Sequence, residues 1–169
     1  LGDNVIWSYD FTSHTSPYYA QQFRLLGGGN IYLGWNDGTN IQSIQSSSSL
    51  YSVNEWFHVV AVFKSGYQKI YKNGVEIASG TSSHTISYYN QEVVIGESPN
   101  FGGNFEGNLS NVAFWSRALS ASEIRSVMNK SYDDLNASET KGLVSWYALD
   151  DISGTTVPDS HGNYNGTAN

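Results

Sequence analysis

The amino-acid sequence predicts an antiparallel β-sandwich with one short helix, and three observations carry the prediction. Short runs alternate apolar and polar residues at the two-residue period of a strand. Turn-forming Gly, Asn and Asp residues separate those runs at short intervals. A single helix-start signal, followed by a single apolar stripe of helical spacing, occurs late in the chain.

The elements follow in order. Asn4 to Phe11 alternates, with Val5, Trp7, Tyr9 and Phe11 on one face and Ser8 and Asp10 on the other. Gly27-Gly28-Gly29-Asn30 divides two strand-like runs, around 20–26 and 31–36, and Asp37-Gly38 turns the chain into Ile41–Ile44. Ser46 to Ser49 reads as a polar loop. Trp56-Phe57-His58-Val59-Val60-Ala61-Val62-Phe63 is apolar on both faces and is expected at the centre of the fold. Asn73-Gly74 suits a two-residue type I′ turn, which requires positive φ at both positions. That turn would pair Lys72 with Val75 and Ile70 with Ile77 on one face, leaving Tyr71 opposite Glu76 on the other. Further strands are expected at 91–96 and 108–115. Ser120 and Glu123 form a capping box, Leu119 can staple onto Ile124, and Ile124, Val127 and Met128 make the stripe of a helix ending near Lys130. Residues 131–141 read as polar linker, and Gly142–Asp150 as another strand with an acidic end.

The chain has 169 residues, enough for one core-bearing domain and short for two. Only 14% of it is charged, against roughly a quarter in an average globular protein. Twelve Tyr and five Trp supply a core despite that composition. A net charge of -7 and a pI near 4.8, with scattered Lys and Arg, argue against nucleic acid as a partner. The longest apolar run, Val59 to Phe63, is too short to span a bilayer. No cysteine is present, which removes disulfides, thiol catalysis and zinc–thiolate sites. The chain opens Leu1-Gly2-Asp3 and is read as part of a longer protein.

Four segments in order then resemble the laminin-G-like and pentraxin-like branch of the concanavalin A-like lectin fold. They are Glu55–Phe63, Ile70–Ile77 with its Asn73-Gly74 turn, Val94-Ile95-Gly96-Glu97, and Phe105–Ser120 with Gly107, Leu109, Val112 and Trp115. Each alone is weak; the ordered set, over about residues 4 to 130, is specific. The resemblance implies a jelly-roll sandwich. Domains of that family commonly open with a segment like Gly142–Asp150 followed by Asp159-Ser160-His161-Gly162-Asn163-Tyr164-Asn165-Gly166-Thr167. Here that opening stands at the end. The favoured reading is a single sandwich over residues 1–169, with 142–169 supplying a permuted terminal strand. The alternative is that 142–169 begins a second repeat.

Three chemistries are weighed. The fold also houses glycoside hydrolases, whose acid and nucleophile share one strand face at i, i+2 and i+4. No such run occurs: Glu92 and Glu97 are five apart, and Asp150-Asp151 diverge. His58, in the expected central strand, reads as a satisfied core histidine, and no enzyme is expected. Pentraxin-like relatives hold calcium between the loop after the first strand and the loop after the Ile-Gly strand end. In this sequence, residues 12–19 carry no acid and the second loop offers only Glu97, so no cofactor is expected, with a single calcium on Glu97 as the alternative. Neutral glycans, finally, are held by aromatic faces with amide and hydroxyl partners. Tyr18, Tyr19, Tyr88, Tyr89, Asn100 and Phe101 are the candidate ligand-binding residues; Trp35, at a strand end, is the ring most readily taken into the core. The resemblance and this ring set together imply a lectin-like, non-catalytic module that binds a glycan or cell-surface carbohydrate. They place it in a secreted or virion-surface protein, such as an adhesin or phage tail fibre. A structural or protein-interaction domain of the same fold is the alternative.

Overall fold

The structure is a computed structural model that describes residues 3–10, 19–36, 39–82, 92–98, 103–162 and 164–168. The backbone divides into two compact units, Leu1–Glu106 and Gly107–Asn169. The expected Asp37-Gly38 turn lies outside the described residues.

Among the described residues, the first unit contains eight strands in two antiparallel sheets. β1 (Asn4–Asp10), β2 (Tyr19–Leu25), β3 (Ile31–Asn36), β4 (Ile41–Gln45) and β8 (Val93–Ile95) form one sheet in the order β4-β3-β2-β1-β8. β5 (Val59–Lys64), β6 (Tyr67–Lys72) and β7 (Val75–Gly80) form the other, with β6 in the middle. Register sets the faces. Trp7 lies opposite Phe23 and Ile95, Phe23 opposite Leu33, and Leu33 opposite Ile44, so one face of the larger sheet is apolar across all five strands. It meets the Phe63 and Gly80 face of the smaller sheet. Trp35 contacts Phe63 edge to face at 5.3 Å between centroids, and Gly80 lies so close to Ile44 that a Cβ would sit 2.5 Å from its methyl carbon. Ile31, Leu33, Trp35 and Ile70 are fully buried in this core.

The Asn73-Gly74 turn is confirmed, with φ of 48° and 74° at its two residues. Lys72 opposes Val75 and Tyr71 opposes Glu76 as expected. Beyond that point a bulge intervenes: Ile70 pairs with Ala78 rather than Ile77, which takes the unpaired position. A second bulge, at Ile6, puts Val5 opposite Arg24 and Trp7 opposite Phe23. Val5 and Trp7 therefore face opposite ways, and the alternation read from the sequence starts only at Trp7. The expectation of a central strand at 56–63 is also corrected. The strand begins at Val59, lies at the edge of its three-stranded sheet among the described residues, and leaves Trp56 68% exposed. Its apolar composition reflects two half-buried faces rather than a central position. His58 precedes the strand, is half-buried, and has no partner for Nδ1; burial holds its imidazole below the ordinary range.

The second unit pairs β9 (Val112–Trp115) with β10 (Leu143–Tyr147), and β11 (Thr156–Val157) with β12 (Gly166–Thr167). α1 (Ala121–Val127) starts as predicted. The Ser120 hydroxyl accepts from the Glu123 N–H, and the Glu123 carboxylate accepts from the Ser120 N–H at 2.8 Å. Ile124 and Val127 are buried with Leu119, Leu143, Trp146 and Val157. Residues 131–141 are not a linker. They hold a 3-10 turn (Tyr132–Asp134) and a buried carboxylate, Glu139, which is 3% exposed. Glu139 accepts from the Asn136 N–H at 2.9 Å, from Lys130 Nζ at 2.7 Å on each oxygen, and from the Ser126 hydroxyl at 2.6 Å. Its own carbonyl accepts from Trp115 Nε1 at 2.9 Å. The Asn136 N–H first, then Lys130 and Ser126, bring its pKa from 4.5 to about 2. Among the described residues no helix is long and apolar enough to cross a membrane.

Candidate functional site: the polar face of the larger sheet

In β1, β2 and β3 the residues between the core positions are polar or small. Ser8 pairs with Gln22 and Gln22 with Gly34, and Asn36 lies two residues further along the same face. Ser8, Gln22 and Asn36 are nevertheless 0% exposed. Buried amides and hydroxyls are costly unless bonded, and the segment after β8 supplies partners. The Ser8 hydroxyl donates to the Glu97 carbonyl at 2.9 Å, and Gln22 Nε2 donates to the buried Ser98 hydroxyl at 3.2 Å.

The same segment is laced to β1 by its backbone. Gly96 N–H donates to Ile6 at 2.9 Å, Val5 N–H to Gly103 at 3.0 Å, Phe105 N–H to Gly96 at 2.7 Å, and Glu106 N–H to the Asn4 side chain at 2.7 Å. This polar row therefore positions residues 96–98 on the sheet, while the Glu97 side chain is left exposed. At one end of the face the Arg24 guanidinium lies 4.5 Å from the Tyr32 ring centre and 3.6 Å from Asp3.

Of the residues chosen from the sequence, Tyr18, Tyr88, Tyr89, Asn100 and Phe101 lie outside the described residues. Tyr19 opens β2 opposite Asp10; its side chain is likewise outside the described set. Trp35, 2% exposed, belongs to the core. Sequence reasoning missed Ser8, Gln22 and Ser98, and the strand residue Asn36 reads from the sequence as a loop amide. The signal was present in the alternation of Gln22 and Asn36 with Phe23, Leu33 and Trp35, but alternation alone assigns a polar residue to solvent.

Among the described residues no group of three or more His, Asp or Glu side chains is placed to hold a metal ion. Asp159 is 5% exposed and spent on the backbone. Its oxygens accept from the N–H groups of Trp146 at 2.8 Å and of His161 and Tyr164 at 3.0 Å each, an Asx turn that ties the 159–164 segment to β10. His161 Nδ1 lies 3.2 Å from the Tyr132 hydroxyl. On the polar face, the described side chains include hydroxyls, amides and one cation, with no pair of facing carboxylates.

An antiparallel sandwich in which one sheet carries an apolar inner face and a hydrogen-bonded polar face is an architecture of binding domains and of glucanases alike. A laminin G family model, described as the concanavalin A-like lectin/glucanases superfamily, matches residues 3–125, and the chain belongs to this family. No curated protein matches the chain. Among solved structures, a candidate carbohydrate-binding protein from Bacteroides ovatus is similar at a TM-score of 0.77 and 22% identity, over 99% of this chain and 47% of that one. This chain thus spans about half the length of that relative. An S-layer domain-containing protein from Clostridium thermocellum aligns at a TM-score of 0.44 and 20% identity, over 76% of this chain and 64% of that one.

Proposed function

We propose that this chain is a non-catalytic, lectin-like carbohydrate-binding module of a secreted or virion-surface protein. The observation that carries the reading is the bonded row Ser8, Gln22 and Ser98, which fixes the segment bearing Glu97 on the polar face of the sheet. The row is itself buried and bonded and serves as the support; the exposed Glu97 carboxylate on the segment it holds suits the hydroxyls of a neutral or basic-substituted sugar. Among the described residues the polar face offers no acid and nucleophile at glycosidase separation. The rings Tyr18, Tyr19, Tyr88, Tyr89 and Phe101, with Asn100, are the proposed contacts. Affinity is expected to be weak, because an open site desolvates little of its ligand. The Bacteroides ovatus relative adds support of the same kind, at the level of fold.

The same proposal takes residues 1–169 as one domain completed by 142–169. Its support is that β10 pairs with β9, a strand inside the family-matched region, and buries Leu143 and Trp146 there. A glycan array with the folded protein tests the function, followed by chemical-shift mapping of any hit. Discrete hits with shifts at Tyr19 and 96–101 are expected. A blank array from a folded sample would refute the lectin reading and leave the structural or interaction domain.

A further inference from the structure

We infer that Trp56, on the segment that leads into β5 of the smaller sheet, is a second sugar-stacking platform, distinct from the polar face of the larger one. Trp56 is 68% exposed, more than any other large apolar side chain among the described residues. Val53, at 59%, is three residues before it, and Val75, at 65%, begins the neighbouring hairpin strand opposite Lys72. Trp56 and Val75 thus lie in the segments that lead into β5 and begin β7, the two strands whose first residues both pair with Lys72.

The indole is not on a loose loop. Its two sequence neighbours are both held by Lys72: Glu55 Oε1 lies 3.9 Å from Nζ, and the Phe57 ring centre lies 5.0 Å from it. Nζ also donates to the Leu50 carbonyl at 2.6 Å. Next along, His58 and Asn73 exchange hydrogen bonds of 2.8 Å in both directions. With residues 55 and 57 turned toward Lys72, the residue between them is turned outward. An indole left in water gives up its burial energy, and a backbone tied down around it prepays the ordering cost of a contact.

The occupant that fits is the apolar face of a neutral pyranose. A flat ring is the stacking partner such a face requires, and the exposed Asn54 amide, two residues earlier in the chain, is its proposed hydroxyl partner. The Lys72 charge is offset by Glu55 and by a carbonyl, so a charged partner finds no unmatched charge to pair with. The inference rests on the glycan-binding reading above and adds a site to it.

The test is tryptophan emission and titration calorimetry with soluble hexasaccharides of glucose, galactose, mannose and xylose. Wild-type protein, Trp56→Ala and Trp56→Phe are compared on whichever probe binds. At least a tenfold loss of affinity in W56A, partial recovery in W56F, and unchanged melting temperatures are expected. A probe bound equally by W56A would overturn this site while leaving the lectin reading intact. If the wild type binds no probe, the inference falls, and the array decides the broader reading separately. A concentration-dependent dimer abolished by W56A would overturn it in favour of a contact between copies.

Discussion

Replacing Trp146 by alanine probes whether the terminal strand is part of a core. Trp146 is 3% exposed, lies edge to face against Trp115 at 6.2 Å, and donates from Nε1 to Asn111 at 3.2 Å. Truncating a buried Trp to Ala costs about 3–5 kcal/mol, the transfer energy plus the cavity. The upper half of that range is expected, because the Asn111 acceptor also loses its donor. For a chain of this size each kcal/mol moves the midpoint by about 2–4 °C, so the melting temperature should fall by roughly 10 °C or more. Far-UV circular dichroism is the suitable readout, since the substitution removes a fluorophore. Tyr164→Ala is the control: Tyr164 is 61% exposed, and a surface change of this kind stays within about 0.5 kcal/mol. A W146A midpoint within a degree of wild type would refute the reasoning, and with it the case that residues 142–147 are an integral strand.

Glu139 provides a pH test. Its folded pKa of about 2 lies below its ordinary 4.5, so its stabilisation is present above pH 4.5 and lost as pH falls toward 2. Melting temperatures of wild type and Glu139→Gln should therefore converge between pH 4.5 and 2, and a constant gap across that window would contradict the assignment. Gly80→Ala would place a Cβ 2.5 Å from the Ile44 methyl carbon and should cost about 1–3 kcal/mol by urea denaturation; an unchanged midpoint would mean that the two sheets are less closely packed there. EDTA is expected to leave the melting temperature unchanged, and a calcium-reversible rise of several degrees would instead place an ion at Glu97.

The sequence by itself determined the features whose physics is local. The Asn73-Gly74 turn needs only two residues that tolerate positive φ, and the α1 start needs only Ser120 and Glu123 three apart. The strand at 31–36 likewise follows from the Gly27–Asn30 break and the run after it, without reference to any other strand. The tertiary structure alone decided the features that depend on partners distant in the chain. The bulges at Ile6 and Ile77 shift register by one residue, and with a period of two that inverts a face without any mark in composition. Glu139 reads as one more acid in a polar stretch until Asn136, Lys130 and Ser126 surround it. Gln22 reads as a solvent residue until Ser98, 76 positions away, accepts its amide hydrogen. Trp56 reads as core from the apolar run that it begins, yet Glu55 and Phe57 on either side of it turn to Lys72 and leave the indole in water. In each case a side chain's local pattern states what it can bond, and only the folded chain brings up the partner that decides which bond is made.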